Sequence, residues 1–524
     1  MERKIETPMQ LKSLIIKQLI PAVLMLCHAL GAQAQQELRT SHINVNRGEK
    51  WWGAFVGNAP EEPFAEPFEI LPDTAYRKAA LAPMFISSTG RYIWSEWPVG
   101  VRFDGKEFII TSPEGAVKAQ RGGRTLRDAY LVCRHRNFPP QGNPVSGELY
   151  SLPVVETELE FGFMQSAETI IDYARQLRQA GIEQGIIVLA DGWSSMDGSL
   201  DFDRNFYAEP KAFVDKLHEL GFKLMLNITP YRTASGRGYV EAMRNGTLLR
   251  DRSGAPVFVN GDMGFFAVCD VTQAECRSDI EQKLKRLTEQ YGVDGFRFDC
   301  EQLSSTLAGR TSLERAFLDA WYTLGADYAL AEYIPGTATL ERYAPGRVTT
   351  SSAEPLSYIN DMLTAGLMGV SSAYADAPEI DLAKADDLTK LRTLQQELMM
   401  PMARVGFAPW RIKNKEYYAE YMRNLQLRCE MGKHLQQVAQ EGCKTAEPMA
   451  RHMEYLFPRS GFADCSTQYM LGNKYLIAPA DNHNKRMVRL PRGVWTDTDG
   501  RRYRGPVVID ADTSNGKLLC FELN

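Results

Sequence analysis

Three patterns of apolar and polar positions follow one another along the chain. From about residue 36 to 153, short runs such as Arg91-Tyr-Ile-Trp94 and Glu107-Phe-Ile-Ile110 alternate with turn signals at Ser88-Ser-Thr-Gly90, Asp104-Gly105 and Gly122-Gly123. Runs of that length between Gly- and Asp-rich turns predict an all-β region. From about 154 to 412, apolar strands alternate with polar helices, the pattern of parallel βα units. After about 450 the β pattern returns in Tyr475-Leu-Ile-Ala478, Met487-Val-Arg-Leu490 and Val507-Val-Ile509. The chain therefore reads as α/β: a (β/α)8 TIM barrel over 154–449, an N-terminal β-sandwich-like domain over 35–153 and a small C-terminal β domain over 450–524.

Within the middle region, helix starts are explicit. Ser166 can cap a helix that buries Ile170, Ile171, Ala174 and Leu177, and Thr272 with Glu275 makes a capping box ahead of Ile280, Leu284, Leu287 and Tyr291. Five runs read as buried strands: Gly185–Asp191, Phe222–Leu226, Phe265–Asp270, Gly295–Asp299 and Tyr328–Glu332. Four of the five end in a carboxylate, and in a parallel barrel all strand C-termini open onto the face where active sites are assembled. Asp191, Asp270, Asp299 and Glu332 are thereby expected to converge. A doubly wound sheet also binds ligands at strand ends, but no GxGxxG or Walker loop is present and the region is long enough for eight units.

Composition narrows the function classes. With 44% hydrophobic and 24% charged residues, the 524-residue chain has ordinary globular usage. Its 60 basic and 65 acidic side chains give a formal charge of −5, which offers no general attraction to nucleic acid or anionic lipid. Residues 1–34 read as a signal peptide: Arg3, Lys4, Lys12 and Lys17 precede the apolar run Leu19–Leu30, and Ala32-Gln33-Ala34 is a small-residue cleavage site. Leu26 before Cys27 is large where a lipoprotein signal carries a small residue, so simple export with Gln35 as the new N-terminus is expected, periplasmic or secreted, without membrane insertion. Eight cysteines then remain, of which Cys429 with Cys443 or Cys269 with Cys276 lie closest in sequence. Their spacing, and that of the seven scattered histidines, does not suit a metal site.

Convergent carboxylates without metal ligands suit glycoside hydrolysis, in which one carboxylate attacks the anomeric carbon and another group protonates the leaving oxygen. Asp299 stands out, ending a strand with Phe296 and Phe298 on one side and Arg297 on the other, where a neighbouring cation would keep it ionised. The segment Val293-Asp-Gly-Phe-Arg-Phe-Asp-Cys-Glu301 resembles the nucleophile segment of family-31 glycoside hydrolases, the α-glucosidase and α-galactosidase group. Asp191-Gly-Trp193, Asp201-Phe-Asp203, Pro210–Leu226, Asp361–Gly369, Met400-Pro-Met402 and Ala408-Pro-Trp-Arg411 resemble further stretches of the branch that includes the myogenesis-regulating glycosidase. The resemblance covers roughly residues 154–480. It implies a retaining α-glycosidase with Asp299 as nucleophile, Asp191, Trp193 and Asp376 around the terminal sugar, a glycoside or oligosaccharide as partner, and no cofactor. Asp270, Arg297, Glu301 and Glu332 complete the expected substrate-binding set.

Three departures from the family pattern concern catalysis. Ala190 precedes Asp191 where a second acid is expected, Ala377-Pro378-Glu379 replaces a Gly-Gly pair, and Ala344–Glu354 contains no aspartate where the acid/base residue should lie. Glu354 is the nearest substitute; it also stands where an acid would complement the dipole of a following helix. Glu332 and Glu301 are further candidates for the acid. A carbohydrate-binding protein without hydrolytic activity is the alternative reading, because function resides in the site and not in the barrel. Asp201 and Asp203 read as turn acids, and Trp51, Trp52, Trp94 and Trp410 as core or pocket-wall aromatics.

Overall fold

The computed structural model describes residues 39–524 apart from 57–59, 71–79, 97–98, 113–114, 141–145, 163, 196–198, 235, 252, 262–263, 301–302, 304–310, 335–343, 349–355 and 377–379. Its centre is an eight-stranded parallel sheet. The strands are β1 (Val154–Glu156), β2 (Gly185–Leu189), β3 (Phe222–Ile228), β4 (Gly295–Phe298), β5 (Leu330–Tyr333), β6 (Pro345–Val348), β7 (Ser372–Ala375) and β8 (Arg404–Val405), in the order β7-β6-β5-β4-β3-β2-β1-β8. Every neighbouring pair is parallel. The two ends meet through side chains: Arg404 of β8 donates to Asp376, the residue after β7, at 2.9 Å. This is a TIM-like barrel, covered outside by helices that include Ala167–Gln179, Pro210–Glu219, Thr311–Leu324 and the 31-residue Lys415–Thr445.

Local chemistry explains these elements. Ser166 caps Ala167–Gln179, with Thr169 completing a reciprocal box, and Ile170, Tyr173, Ala174 and Leu177 are buried against the barrel. Phe296 and Phe298 turn outward from β4 and pack edge-on against Tyr328 and Trp321, at 4.8 and 5.5 Å between ring centroids. Gly295 starts β4 because a Cβ there would lie 2.0 Å from the carbonyl oxygen of Leu330 on the next strand.

The N-terminal region forms two four-stranded sheets around a core of Trp51, Phe64, Phe85, Phe103 and Phe108, and the last of their strands ends at Arg121. Residues 126–137 depart from the all-β expectation. Thr125 and Asp128 form a capping box, and Leu126, Ala129, Tyr130 and Cys133 make the buried stripe of a helix. The C-terminal region is a six-stranded antiparallel sheet built around the long hairpin Lys485–Asp497 and Arg502–Asp512.

One strand expected in the barrel belongs elsewhere. Gly264–Val268 pairs antiparallel with Tyr231–Thr233 and Phe258–Gly261 in a separate three-stranded sheet inserted after β3. It is not covered along its whole length, with Phe265 68% exposed beside buried Phe266, Ala267 and Val268, which suits a peripheral antiparallel sheet and not a fully covered parallel strand. No described helix is long and apolar enough to cross a membrane.

Candidate active site

At the C-terminal ends of adjacent strands β2, β3 and β4 stand Asp191, Asn227 and Asp299. Asp191 lies two residues beyond β2, and the Gly192 that follows has φ +103°, backbone that favours glycine and turns the chain away from the strand. Asp299 follows β4 directly, its amide donating to the carbonyl of Ile228 at 2.9 Å. Between them, the Asn227 side-chain amide donates to Asp191 Oδ1 at 2.8 Å and to Asp299 Oδ2 at 3.4 Å. Burial, and then the charge of Asp299, push the Asp191 carboxyl up to about 6. Asp191, Trp193, Leu200, Asn227, Thr229 and Tyr231 line a cleft at the barrel mouth. Trp193 is buried in its wall, donating from Nε1 to the Asn227 carbonyl at 2.7 Å.

Below the cleft the barrel is filled by charge. Register places Asn227, Arg297 and Glu332 side by side on β3, β4 and β5. Arg297, 1% exposed, donates from Nε to Glu332 at 2.7 Å and from Nη1 to Glu156 at 3.0 Å. Glu332 also accepts from Tyr374, and Arg404 lies over the Tyr374 ring at 5.1 Å. Although burial opposes it, Arg297 and Arg404 hold the Glu156 carboxyl down to about 2. On the far side, Asp376 accepts from Arg347 Nε at 3.0 and 3.2 Å and from Arg404; against burial, these cations keep its carboxyl below the ordinary range.

The structure thus brings Asp191, Trp193, Arg297, Asp299, Glu332 and Asp376 to one end of the barrel and leaves Asp270 out. Asp270 instead closes the turn ahead of a helix, accepting from the amide and hydroxyl of Thr272 at 3.1 and 2.5 Å and from the Gln273 side chain at 2.9 Å. The expected Thr272–Glu275 box does not form: Gln273, not Thr272, is the N-cap of Ala274–Arg286, and no side chain caps that end. The guanidinium of Arg297 is bound by two other carboxylates, so it is a strut of the barrel interior, not a counter-ion reserved for Asp299. Glu301 and Glu354 lie outside the described residues, as do Ala377-Pro378-Glu379.

Sequence reasoning missed Asn227, Glu156, Arg347, Tyr374 and Arg404. The signals were slight: β3 runs two residues past the apolar stretch and ends as Leu226-Asn-Ile228, and β1 is only three residues long, Val-Val-Glu.

The other expectations resolve into packing. Trp51 and Trp52 are buried in two separate cores, Trp94 stacks on Phe138 at 4.8 Å, and Trp410 packs against Tyr173 at 5.5 Å. Asp201 pairs with Arg286 at 3.1 Å, and Asp203 caps its own turn at Asn205. The described cysteines are free thiols, Cys269 accepting from Arg232 Nε at 2.7 Å. Among the described residues no group of three or more His, Cys, Asp or Glu side chains is placed to hold a metal ion.

Comparison with known proteins now bears on this geometry. The glycosyl hydrolases family 31 TIM-barrel domain matches residues 155–463, and the family 31 C-terminal domain matches 446–520. The chain belongs to glycosyl hydrolase family 31. It is 24% identical over 410 residues to the myogenesis-regulating glycosidase of Mus musculus, covering 72% of this chain and 57% of that protein. To the alpha-xylosidase XylQ of Lactiplantibacillus pentosus it is 25% identical over 351 residues, covering 59% of this chain and 44% of that one. The chain thus spans about half the length of these curated relatives. A family 31 dextranase of Flavobacterium johnsoniae, solved with isomaltotriose, superposes with a TM-score of 0.78 at 17% identity, covering 92% of this chain and 66% of that one. Fold and family 31 membership therefore agree with the barrel derived from the strands.

Proposed function

We propose that this family 31 chain is a retaining α-glycosidase that acts on a terminal α-linked galactose or glucose, with Asp299 as nucleophile. The observation that carries this reading is the pair Asp191 and Asp299 sharing one amide at the barrel mouth. One amide holding both carboxylates, at 2.8 and 3.4 Å, places a nucleophile candidate and a sugar-binding acid side by side where a glycoside would enter. Attack by Asp299 on C1 forms a covalent glycosyl ester, and water opens it with net retention. Trp193 and Asp376 flank the sugar. Export follows from residues 1–34, and a mature N-terminus at Gln35 is its expected mark.

The experiment is hydrolysis of aryl α-galactoside and α-glucoside followed by proton NMR. Release of the α-anomer first is the expected result; release of the β-anomer first would refute retention. The absence of aspartate from Ala344–Glu354 favours a second reading, sugar binding without turnover. Calorimetric binding of the sugars with no product formed would select it.

A further inference from the structure

Two cysteine pairs lie close in sequence, and the fold treats them oppositely. Cys429 and Cys443 share the helix Lys415–Thr445. A rise of roughly 1.5 Å per residue sets them about 21 Å apart, far beyond the roughly 7 Å between Cα atoms that a disulfide tolerates. Cys269 and Cys276 are brought together. Cys269 follows the inserted strand Gly264–Val268, its amide donating to the Pro230 carbonyl at 2.8 Å, and Cys276 lies in the first turn of the helix Ala274–Arg286. Between them the chain reverses through turns in which the amide of Val271 donates to Cys269 at 3.1 Å and that of Gln273 to Asp270 at 3.0 Å. Both side chains are 2% exposed and belong to one apolar cluster, and the Cys276 thiol donates to the Cys269 sulfur.

A cation completes the arrangement. Arg232 donates from Nε to the Cys269 sulfur at 2.7 Å and from Nη2 to Asp279, three residues beyond Cys276, at 3.3 Å. The guanidinium thereby ties Cys269 to the helix that carries Cys276. Because the side chain of Asp279 is 47% exposed, the sulfurs lie one guanidinium below the surface. A sulfur that accepts from a thiol and from a cation is placed to be a thiolate. The Cys276 hydrogen bond, and Arg232 against burial, hold Cys269 below the ordinary thiol range, and the same bond with burial pushes Cys276 above it.

We propose that Cys269 and Cys276 are a redox pair that closes to a disulfide, fastening the inserted sheet to the helix Ala274–Arg286, with a low-molecular-weight disulfide such as glutathione disulfide as the oxidant. Cys269 attacks and Cys276 resolves. The Cys269 thiolate bonds to one sulfur of the oxidant, whose S–S bond breaks and releases a glutathione thiolate. That thiolate takes the proton of Cys276, and the Cys276 sulfur then bonds to Cys269 and expels the second glutathione as thiolate. Two electrons pass from the pair to the oxidant. The reading is independent of the glycosidase chemistry at the barrel mouth.

The test incubates the folded protein with glutathione disulfide and, separately, with diamide, alkylates the remaining thiols in denaturant, and weighs the tryptic peptides. Ser253–Arg277 carries Cys269 and Cys276 and no other cysteine. The inference predicts that this peptide loses two hydrogens and takes up no alkyl group after either oxidant, that dithiothreitol restores both alkylation sites, and that reduction lowers the melting temperature. Cys276→Ser should retain a glutathione at Cys269, whereas Cys269→Ser should leave Cys276 a free thiol. Replacing Cys429 and Cys443 by serine should change neither outcome. Wild type alone decides the matter if a variant fails to fold: full alkylation of Ser253–Arg277 after both oxidants, or a disulfide from either cysteine to a different one, would overturn the inference.

Discussion

Asp191 carries a cost that the fold accepts at one position. Its carboxyl is raised to about 6 in the folded chain from an ordinary value of 3.8, so the folded state favours the proton. Stability from this group is present below the ordinary value and is lost as pH rises toward 6. The neutral isostere Asp191→Asn should therefore raise unfolding stability by about 1–2 kcal/mol at pH 8, allowing for partial solvent access, and by almost nothing at pH 4. Denaturant unfolding at the two pH values checks this. A gain that is equal at both would show that charge is not its source. Deeper in the barrel the direction reverses. Glu332→Ala removes one carboxylate from the buried Arg297, and a cost of about 3–5 kcal/mol is expected, with Glu332→Gln milder because it keeps an oxygen for Arg297 and Tyr374. Asp299 and Asp191 were legible in sequence because a carboxylate after a short apolar run is conspicuous. Glu156, Asn227 and Arg404 were not, because their partners come from strands far apart in sequence and only the register aligns them.

At the scale of elements, periodicity located four of the eight barrel strands and misassigned a fifth. The run ending in Asp270 is as apolar as its neighbours, and nothing local distinguishes a barrel strand from an inserted antiparallel one. The distinction lies in its partners, Tyr231–Thr233 and Phe258–Gly261. β1 and β8, of three and two residues, are too short to show a period, and β6 and β7, though as long as β4 and β5, begin Pro345-Gly346 and Ser372-Ala373, which do not read as an apolar run. Helix Leu126–Asn137 did carry its signal, Thr125 three residues before Asp128, inside a region dominated by turns. If Asp270 serves its own turn and not a sugar, Asp270→Ala should lower stability by about 1 kcal/mol and leave KM for the preferred glycoside unchanged. A raised KM without loss of stability would return Asp270 to the site.

The whole molecule is joined where the N-terminal sheets meet the barrel. Glu62, 6% exposed, accepts from the Gly53 amide at 2.6 Å and bonds to Thr364 on the barrel helix Ser357–Leu367. Burial, and to a lesser degree the charge of Asp361, raise its carboxyl to about 8. Its contribution is thus complete below an ordinary glutamate value and declines as pH rises through 8. Glu62→Gln should leave the melting temperature unchanged at pH 4 and raise it by about 2–4 °C at pH 8. Scanning calorimetry at the two pH values decides it, and a fall at both would show that the acid itself holds the joint. With the barrel closed and covered, its catalytic claim reduces to one carboxylate. The most direct measurement is intact mass after incubation with 5-fluoro-α-galactosyl or 5-fluoro-α-glucosyl fluoride, for wild type and Asp299→Asn. A one-sugar gain in wild type that is absent from Asp299→Asn is the predicted result. A gain that persists in Asp299→Asn, or none in folded wild type with either sugar, would contradict Asp299 as the nucleophile.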